Sequence, residues 1–413
     1  MDLRVAQNCP QCGASVVLTE AARLLTCTFC GTRNYLQSSG PFRYVLPTAD
    51  ACSSEESLLV PYIRFKGTIF LVTAEAGIEY RVVDTTQAAN PVPGLPPSLG
   101  VRPQAMHLSR INRKTKILYL PQTLKANTIL EKAAAISSLT ATAGKDLYHR
   151  AYIGENLSYI YLPLVARQQT LFDGVTNLRL AGVEELAGYP LRGKAFDEDW
   201  QVHFQASLCP QCGAGLEGAD DCQVMPCVNC QTAWAFGPDG LAEVDWWLHP
   251  GDASTPLYLP FWKIAAHIPA LDIYSFADFV AKTNQPFLPR PEWQERIMSF
   301  WIPGVKLRPK IFLQVGRQAT LGQWQIKPVA GRVEPNLFPV TLPASEAQQA
   351  VKVMLAATTA SPRLIYPFLP QVELTEVMIQ LVYLPFIDKG HDWVQPDTGV
   401  VIAKNILQFG LSL

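Results

Sequence analysis

The sequence predicts an α+β fold, dominated by β structure, in which one unit is duplicated in tandem. The pentapeptide Cys9–Gly13 returns unchanged as Cys209–Gly213. Each copy is followed by short apolar or alternating segments, which are typical of β-strands. The 33 prolines and 26 glycines separate these segments and favour turns between them. Each half is therefore expected to contain a cysteine module followed by a mixed, mainly antiparallel β domain with short helices.

The composition is that of a globular chain with little net charge. Hydrophobic residues make up 48% of the 413 residues, enough for a substantial core and for roughly two to four domains. Charged residues make up only 17% and the formal net charge is -1, so no overall field would attract nucleic acid or an anionic membrane. The first residues do not form a basic and then apolar leader, and Lys263, His267, Glu373 and Glu376 interrupt the longest apolar stretches. These features predict a cytoplasmic protein without a transmembrane segment.

The cysteines predict two metal sites. Eight of the ten cysteines occur as Cys-x-x-Cys pairs, and in each half 14 residues separate the two pairs. Two such turns can give a structural zinc ion four thiolate ligands in a tetrahedron, whereas a disulfide framework would require an oxidising compartment. A glycine follows the second cysteine of three pairs and lets the backbone turn at positive φ, but Gln231 takes this place in the fourth pair. The expected ligands are Cys9, Cys12, Cys27, Cys30, Cys209, Cys212, Cys227 and Cys230.

Alternatives to this zinc assignment stay open. Four cysteines can also bind iron, as in rubredoxin, although the pairs there are usually further apart. Cys222 could compete as a ligand in the second module, although Cys222 and Cys52 are more simply explained as buried or free thiols. In the first module, Ser15–Leu18 and Leu24–Thr26 predict a hairpin between the two pairs. The corresponding part of the second module, from Gly215 to Asp221, is poor in strand formers.

Other landmarks recur in the same order in both halves, which indicates an internal repeat. The corresponding segments are Leu58–Arg64 and Leu257–Lys263, Gly100–Pro103 and Gly304–Pro309, and Tyr161–Pro163 and Tyr383–Pro385. Because proline cannot donate to a β ladder, the repeated Tyr-Leu-Pro is expected to end a strand. The repeat predicts five parts: zinc ribbon 1 at 1–40, a β-rich domain at 41–180, a connector at 181–208, zinc ribbon 2 at 209–240 and a second β-rich domain at 241–413.

Individual elements can be placed from periodicity and composition. Strands are predicted at Thr68–Val72, Ile78–Val83, Lys116–Leu120, Leu157–Leu162 and Met378–Leu384. Short helices are predicted at Leu124–Leu139, Ser275–Thr283, Pro291–Phe300 and Ser345–Ala357, with Pro291 near the first turn of its helix.

No catalytic motif is recognisable. The chain has no Gly-x-Ser-x-Gly, no phosphate loop, no His-Glu-x-x-His and no dinucleotide-binding fingerprint. Its six histidines are scattered, and none lies at metal-binding spacing from another. A site with four thiolates also leaves no open position for substrate on the metal. The sequence therefore predicts a protein that is not an enzyme.

Two features bear on possible partners. Ribbon 1 carries a net charge of +1 between Cys9 and Leu36, whereas ribbon 2 carries -3 between Cys209 and Phe236, which would repel phosphate. The basic residues Arg110, Arg113, Lys114 and Lys116 are better explained as a solvated turn than as a nucleic-acid patch. Aromatic residues near the landmarks fit core packing better than a protein interface: Tyr62, Phe65, Trp246, Trp247, Phe261, Trp262, Trp293 and Trp301.

With these motifs in hand, the chain resembles a group of uncharacterised bacterial proteins that carry double, TFIIB-type zinc ribbons. The resemblance rests on the Cys-Pro-x-Cys-Gly ribbons, on Leu59–Phe65 and Tyr258–Ile264, and on Ser98–Met106. It implies two structural zinc ions and no particular activity.

The leading functional hypothesis is a non-enzymatic adaptor or assembly subunit that binds protein partners within a larger bacterial complex. It follows from the duplication, the small net charge and the lack of a catalytic motif. The alternative is a nucleic-acid-binding protein that uses ribbon 1 and the basic run 110–116. A second alternative is a peripheral membrane-associated accessory protein, although no basic amphipathic helix indicates it.

Overall fold

The chain folds into two compact units. The computed structural model describes residues 3–38, 40–52, 57–75, 77–90, 92–111, 118–123, 147–168, 170–182, 193–195, 200, 202–237, 240–251, 256–323 and 329–409. Unit 1 comprises Met1–Lys66, Val83–Ser138 and Glu155–Ser207, and unit 2 comprises Gly67–Val82, Leu139–Gly154 and Leu208–Leu413. In the described part of the chain, no helix has both the length and the apolar character needed to span a membrane.

Strands dominate both units, as the sequence predicts. Up to residue 206 they are β1 (Arg4–Asn8), β2 (Ser15–Thr19), β3 (Leu24–Thr26), β4 (Arg33–Ser38), β5 (Phe42–Val45), β6 (Ser57–Thr73), β7 (Gly77–Ala88), β8 (His107–Arg110), β9 (Leu118–Tyr119), β10 (Leu147–Arg167), β11 (Thr170–Asp173), β12 (Arg179–Gly182) and β13 (Val202–Ala206). The later strands are β14 (Val224–Pro226), β15 (Ala233–Gly237), β16 (Gly240–Val244), β17 (Trp246–Leu248), β18 (Leu257–His267), β19 (Ser299–Pro303), β20 (Val329–Ala330), β21 (Thr375–Lys389), β22 (Asp392–Val394) and β23 (Val401–Ala403).

The helices are short and lie mainly in the second half. They are α1 (Arg102–Ala105), α2 (Phe276–Lys282), α3 (Pro309–Gly322), α4 (Ala344–Thr358), α5 (Pro362–Ile365) and α6 (Lys404–Phe409). Single 3-10 turns occupy Asp50–Cys52, Pro269–Leu271 and Pro291–Trp293, and a longer one occupies Tyr366–Gln371.

Most of the predicted elements are confirmed and one is wrong. Helices α2 and α4 lie where the sequence places them, and Ser275 caps α2 in a reciprocal capping box with Asp278. The predicted helix Pro291–Phe300 is wrong, because it ends after one 3-10 turn and its last residues enter the buried strand β19. The predicted helix Leu124–Leu139 and the first two residues of the strand at Lys116–Leu120 lie outside the described residues.

In unit 1, the longest sheet joins ribbon 1 to the β-rich part of the half. Its strand order is β12-β11-β10-β5-β8-β1-β2, and β6 pairs with β10.

The predicted hairpin between Ser15–Leu18 and Leu24–Thr26 does not form. Instead, β2 pairs with β1 around the first Cys pair, and β3 pairs with β4 around the second. Strand β13, within the predicted connector, pairs with β4 and extends this small sheet.

In unit 2, helices pack on one face of a mixed sheet. The strand order is β19-β18-β21-β17-β20, and β22 extends β21 as a hairpin. Helices α3 and α4 pack together, and Gly316 makes their close approach possible because a Cβ there would lie 2.2 Å from Cε of Met354. The fully buried Trp262 donates from Nε1 to the carbonyl of Leu342 at 2.9 Å.

The two Tyr-Leu-Pro segments lie inside strands, so the prediction that they end strands is wrong. Strand β10 pairs in parallel with β5 up to Tyr161, and from Leu164 it pairs with β11. The carbonyl oxygen of Tyr161 accepts from Leu46, and that of Pro163 accepts from Gly174. Backbone groups of residues two positions apart point to the same side of a strand. Pro163, which has no N–H, therefore lies where the neighbour on that side changes from β5 to β11.

The second Tyr-Leu-Pro marks the same change of partner in unit 2. Strand β21 pairs in parallel with β17 up to Tyr383 and as a hairpin with β22 from Ile387. The carbonyl oxygen of Tyr383 accepts from His249 at 2.9 Å, as that of Tyr161 accepts from Leu46 at 3.1 Å. Proline therefore ends pairing with one neighbour while the strand itself continues.

The strand pairings of the two halves correspond in order. Strands β5, β6, β8, β10, β11 and β12 pair among themselves as β17, β18, β20, β21, β22 and β23 do. Both β5 with β10 and β17 with β21 are parallel pairs, whereas the β5–β8 and β17–β20 pairs are antiparallel. Each Arg-Pro landmark begins a helix, at α1 and at α3. These correspondences agree with the predicted internal repeat.

A buried ion network connects ribbon 1 to the sheet of unit 1. The fully buried Arg64 on β6 donates from Nε to Oε2 of Glu20 at 2.8 Å and from Nη1 to Oδ1 of Asp84 at 2.6 Å. The hydroxyl of Ser158 on β10 donates to the other oxygen of Glu20 at 2.7 Å. Burial alone would lower the pKa of Arg64, but the two carboxylates outweigh this effect and raise it.

Replacing Arg64 by Met should destabilise the chain by about 3–5 kcal/mol, because Glu20 would stay buried without its cation. The matched control is Lys282→Met, which removes one partner of the exposed pair with Asp272 and should cost less than about 1 kcal/mol. Urea unfolding followed by tryptophan fluorescence measures both. Equal costs for the two variants would contradict a structural role for the network.

Candidate metal centres

All four Cys-x-x-Cys turns adopt the same backbone conformation. In each turn, the first cysteine's carbonyl accepts from the residue four positions later, at 2.8–2.9 Å, and its N–H donates to the residue five positions later, at 2.6–3.0 Å. The residue that follows the second cysteine has positive φ: 75° at Gly13, 71° at Gly31, 73° at Gly213 and 63° at Gln231. The turns are therefore interchangeable knuckles, and each points its two sulfurs to one side.

The knuckles bring the eight predicted ligands together in two groups of four. Cys9, Cys12, Cys27 and Cys30 form one group and Cys209, Cys212, Cys227 and Cys230 the other, with all sulfurs of a group within 4.8 Å of one another. The Sγ–Sγ distances are 3.7 Å for Cys9–Cys30 and 3.6 Å for Cys12–Cys27, and both corresponding distances in ribbon 2 are 3.6 Å. A tetrahedral metal with thiolates at about 2.3 Å separates them by about 3.8 Å. Both groups therefore fit a tetrahedral, four-thiolate metal ion.

A threonine two residues after the last ligand supports each group, and sequence reasoning missed it. The hydroxyl oxygen of Thr32 lies 3.1 Å from the sulfur of Cys30, and that of Thr232 lies 3.0 Å from the sulfur of Cys230. The hydrogen bonds from the Thr32 side chain and backbone lower the pKa of Cys30 to about 6 and favour its thiolate form. The signal was present in the sequence, since both ribbons carry threonine at this position.

Gln231, the exception among the knuckle glycines, attaches ribbon 2 to the rest of unit 2. Its side-chain oxygen accepts from the backbone N–H of Val333 at 2.6 Å, and its backbone oxygen accepts from Nε1 of Trp246 at 2.9 Å. Its amide nitrogen donates to the carbonyl of Val228 at 2.5 Å. Left-handed backbone is unfavourable for glutamine, and these three hydrogen bonds offset the strain.

The two remaining cysteines lie outside both groups. Cys222 is buried, and burial, together with the nearby Asp221 and Asp220, raises the pKa of its thiol to about 12, so it remains protonated. The sulfur of Cys52 lies 3.1 Å from Nη2 of Arg167 and 3.4 Å from the side-chain oxygen of Asn177. Neither thiol belongs to a four-cysteine group.

The predicted partner-binding residues are mostly buried. Arg110 is only 7% exposed, and its guanidinium lies 4.7 Å from the centroid of the Phe42 ring, so it does not belong to a solvated basic surface. Arg113, Lys114 and Lys116 lie outside the described residues. The preference for core packing of the aromatic residues is confirmed for six of them: Tyr62, Phe65, Trp246, Phe261, Trp262 and Trp301 are buried, while Trp247 and Trp293 are half-buried.

Comparison with known proteins adds no family to this description. No protein-family model matches the chain, and neither curated proteins nor solved structures show a significant similarity to it. Of the resemblance to double zinc-ribbon proteins, the two ribbon-like four-cysteine sites are what the structure supports.

The purified chain should contain two metal ions, and Cys12→Ser should reduce this number to one because it removes a ligand from group one only. Cys222→Ala is the control and should retain both ions. Elemental analysis by mass spectrometry measures zinc and iron together and so separates these two metals. A wild-type protein with fewer than two ions, or a loss in Cys222→Ala, would contradict the ligand sets.

Gln231→Ala should lower the urea stability of unit 2 by about 1–3 kcal/mol, because it keeps the left-handed strain and loses the side-chain hydrogen bonds. Gln231→Gly removes the strain as well, so it should cost less than Gln231→Ala. The exposed Gln211 of the same ribbon provides the control, and Gln211→Ala should change stability by less than about 0.5 kcal/mol. Equal stability of Gln231→Ala and wild type would contradict the attachment role.

Proposed function

We propose that the protein is a non-enzymatic, cytoplasmic adaptor or assembly subunit that arose by tandem duplication and holds two structural zinc ions. The observation that carries this proposal is that each metal group supplies all four ligands from cysteine. Such a site leaves no open position for a substrate, so its metal stabilises a fold instead of reacting. All ten cysteines are free thiols, as suits a reducing compartment in which zinc would occupy the two groups.

The binding surface of this adaptor is proposed to include the tips of the second knuckles. Phe29 lies between the ligands Cys27 and Cys30 and is 73% exposed. Val228 lies between Cys227 and Cys230 and is 65% exposed. A large apolar side chain held in solvent by a metal-stabilised turn loses little entropy when a partner covers it. The buried aromatic residues of the landmarks are unsuited to this role.

Nucleic-acid binding receives no comparable support. The burial of Arg110 removes one of the four basic residues on which that hypothesis rests. The acidic surroundings of ribbon 2, with Glu217, Asp220 and Asp221, also disfavour phosphate.

The test is affinity purification of the tagged full-length chain from its host. Wild type should elute with a protein partner in fixed stoichiometry, and the double variant Phe29→Ser, Val228→Ser should lose that partner while retaining two metal ions. The control is Leu288→Ser, which removes an apolar side chain that is 87% exposed but lies outside the ribbons, and it should keep the partner.

Three results would contradict the adaptor proposal or its surface. A monomeric wild type without a partner would count against the adaptor, and retention of the partner by the double variant would exclude the knuckle tips. Co-purification of nucleic acid that is released by salt would favour the nucleic-acid alternative instead.

A further inference from the structure

One face of the unit 2 sheet forms an open cleft. Side chains of alternate residues share a face of a strand, so Lys263, Ala265 and His267 of β18 point to the same side. Their neighbours across the ladder are Trp301 and Ser299 on β19, and Gln380 and Met378 on β21. These residues line a cleft of about 680 Å³, within the range of small-molecule sites. All of its lining residues belong to unit 2.

Lys263 places a cation without a counterion in this cleft. The side chain is half-buried, and its ammonium nitrogen lies 6.0 Å from the centroid of the Trp301 ring. The ammonium group of Lys263 forms no hydrogen bond or ion pair with any residue that the structure describes. Burial accordingly lowers the pKa of Lys263. An anion bound beside the ammonium group would reverse this effect and gain a charge-assisted hydrogen bond.

Trp247 carries a buried donor without an acceptor in the wall that β17 forms. It lies on β17, opposite Val382 of β21, and both side chains line the cleft. The indole Nε1 of Trp247 is buried and has no hydrogen-bond partner among the described residues. Buried indole N–H groups usually find an acceptor, so a donor without one is unusual in the wall of this cleft.

The cation that corresponds to Lys263 in the first half has carboxylate partners within the protein. Arg64 takes the place of Lys263 in the repeated landmark, and in unit 1 the carboxylates of Glu20 and Asp84 neutralise it. At Lys263, β18 pairs with β19, whose sequence Ser-Phe-Trp-Ile-Pro contains no acid, and with β21, whose residue opposite Lys263 is Gln380. Lys263 therefore lacks the carboxylate partners that its counterpart has within the protein.

The edge of the cleft carries a strained, charged pair. Glu376 has a φ of 49°, in the left-handed region, next to an irregularity in the pairing of β18 with β21 between Ala265 and His267. Its carboxylate lies 3.3 Å from Nδ1 of His267. Strained non-glycine residues and irregular pairing are common beside binding sites. Glu295 and Arg296 also line the cleft, so its charged side chains have both signs.

We propose that this cleft binds an organic carboxylate with an apolar body, whose carboxylate accepts from Lys263 and whose body packs on Ala265 and on the exposed side chains of Ile297 and Met378. The ammonium group fixes the orientation of the ligand, while the apolar side chains supply most of the contact area. The carboxylate can come from a free acid or from the C-terminus of a peptide, and the two sources share this chemistry. The site is independent of both metal groups and of the proposed adaptor surface.

The test uses 4-phenylbutyrate as the probe and titration calorimetry on the metal-loaded full-length chain. The neutral amide 4-phenylbutyramide should bind about tenfold more weakly or worse, because it lacks the charge. Lys263→Met should weaken binding of the acid by about tenfold or more. The control is Lys389→Met, at the exposed end of β21, a strand that also lines the cleft, and this variant should bind as wild type does.

A peptide arm identifies the source of the carboxylate. An N-acetylated tripeptide that ends in phenylalanine is compared with its C-terminal amide, and tighter binding than 4-phenylbutyrate would indicate a peptide end. The proposal is overturned if the acid does not bind, if the acid and the amide bind equally, or if Lys263→Met binds as wild type does. Unchanged thermal unfolding of Lys263→Met ensures that a loss of affinity reports on the cleft.

Discussion

Proline has no N–H, and the central strand of each half uses this property at the same point. Along β10, Pro163 lies between the part that pairs with β5 and the part that pairs with β11. Along β21, Pro385 lies between the part that pairs with β17 and the part that pairs with β22. Proline cannot donate a hydrogen bond to the neighbour on its side of the strand. In both halves this is the side on which one neighbouring strand ends and the next begins. The preceding tyrosine carbonyl holds the strand that enters from the ribbon. Each proline therefore marks where the parallel pairing with the strand that follows the ribbon stops.

The repeated landmark carries a cation in both halves, and its surroundings differ. Arginine suits the buried position in unit 1, because its planar guanidinium can meet Glu20 and Asp84 at the same time. Lysine is a point charge on a flexible stem, and in unit 2 it lies over Trp301 in an open cleft. The first cation stabilises the fold through internal carboxylates, whereas the second is available for an external one. Divergence at one repeated position can thus separate a structural from a binding role.

Features set by local sequence were predictable and those set by distant contacts were not. Spacing within four residues determines the knuckles, so the metal groups followed from the cysteines alone. Helix α3 was missed although Phe312, Val315, Gly316 and Ala319 have helical spacing, because the glycine in its middle lowers helix propensity. That glycine is explained only by Met354 of the neighbouring helix. The ion network around Arg64 joins residues up to 138 positions apart, and no local pattern indicates it.

The two ribbons are equivalent as metal sites but are attached to their units by different chemistry. In ribbon 2, Gln231 directly follows the ligand Cys230, so the knuckle that holds the metal also positions the side chain that binds Val333. Ribbon 1 is attached away from the ligands, through the pairing of β1 with β8 and through Glu20, which lies between β2 and β3 and reaches Arg64. Loss of the metal would therefore act directly on the attachment of ribbon 2. In ribbon 1 it would act through the β1–β2 hairpin, whose five paired positions flank the first Cys pair.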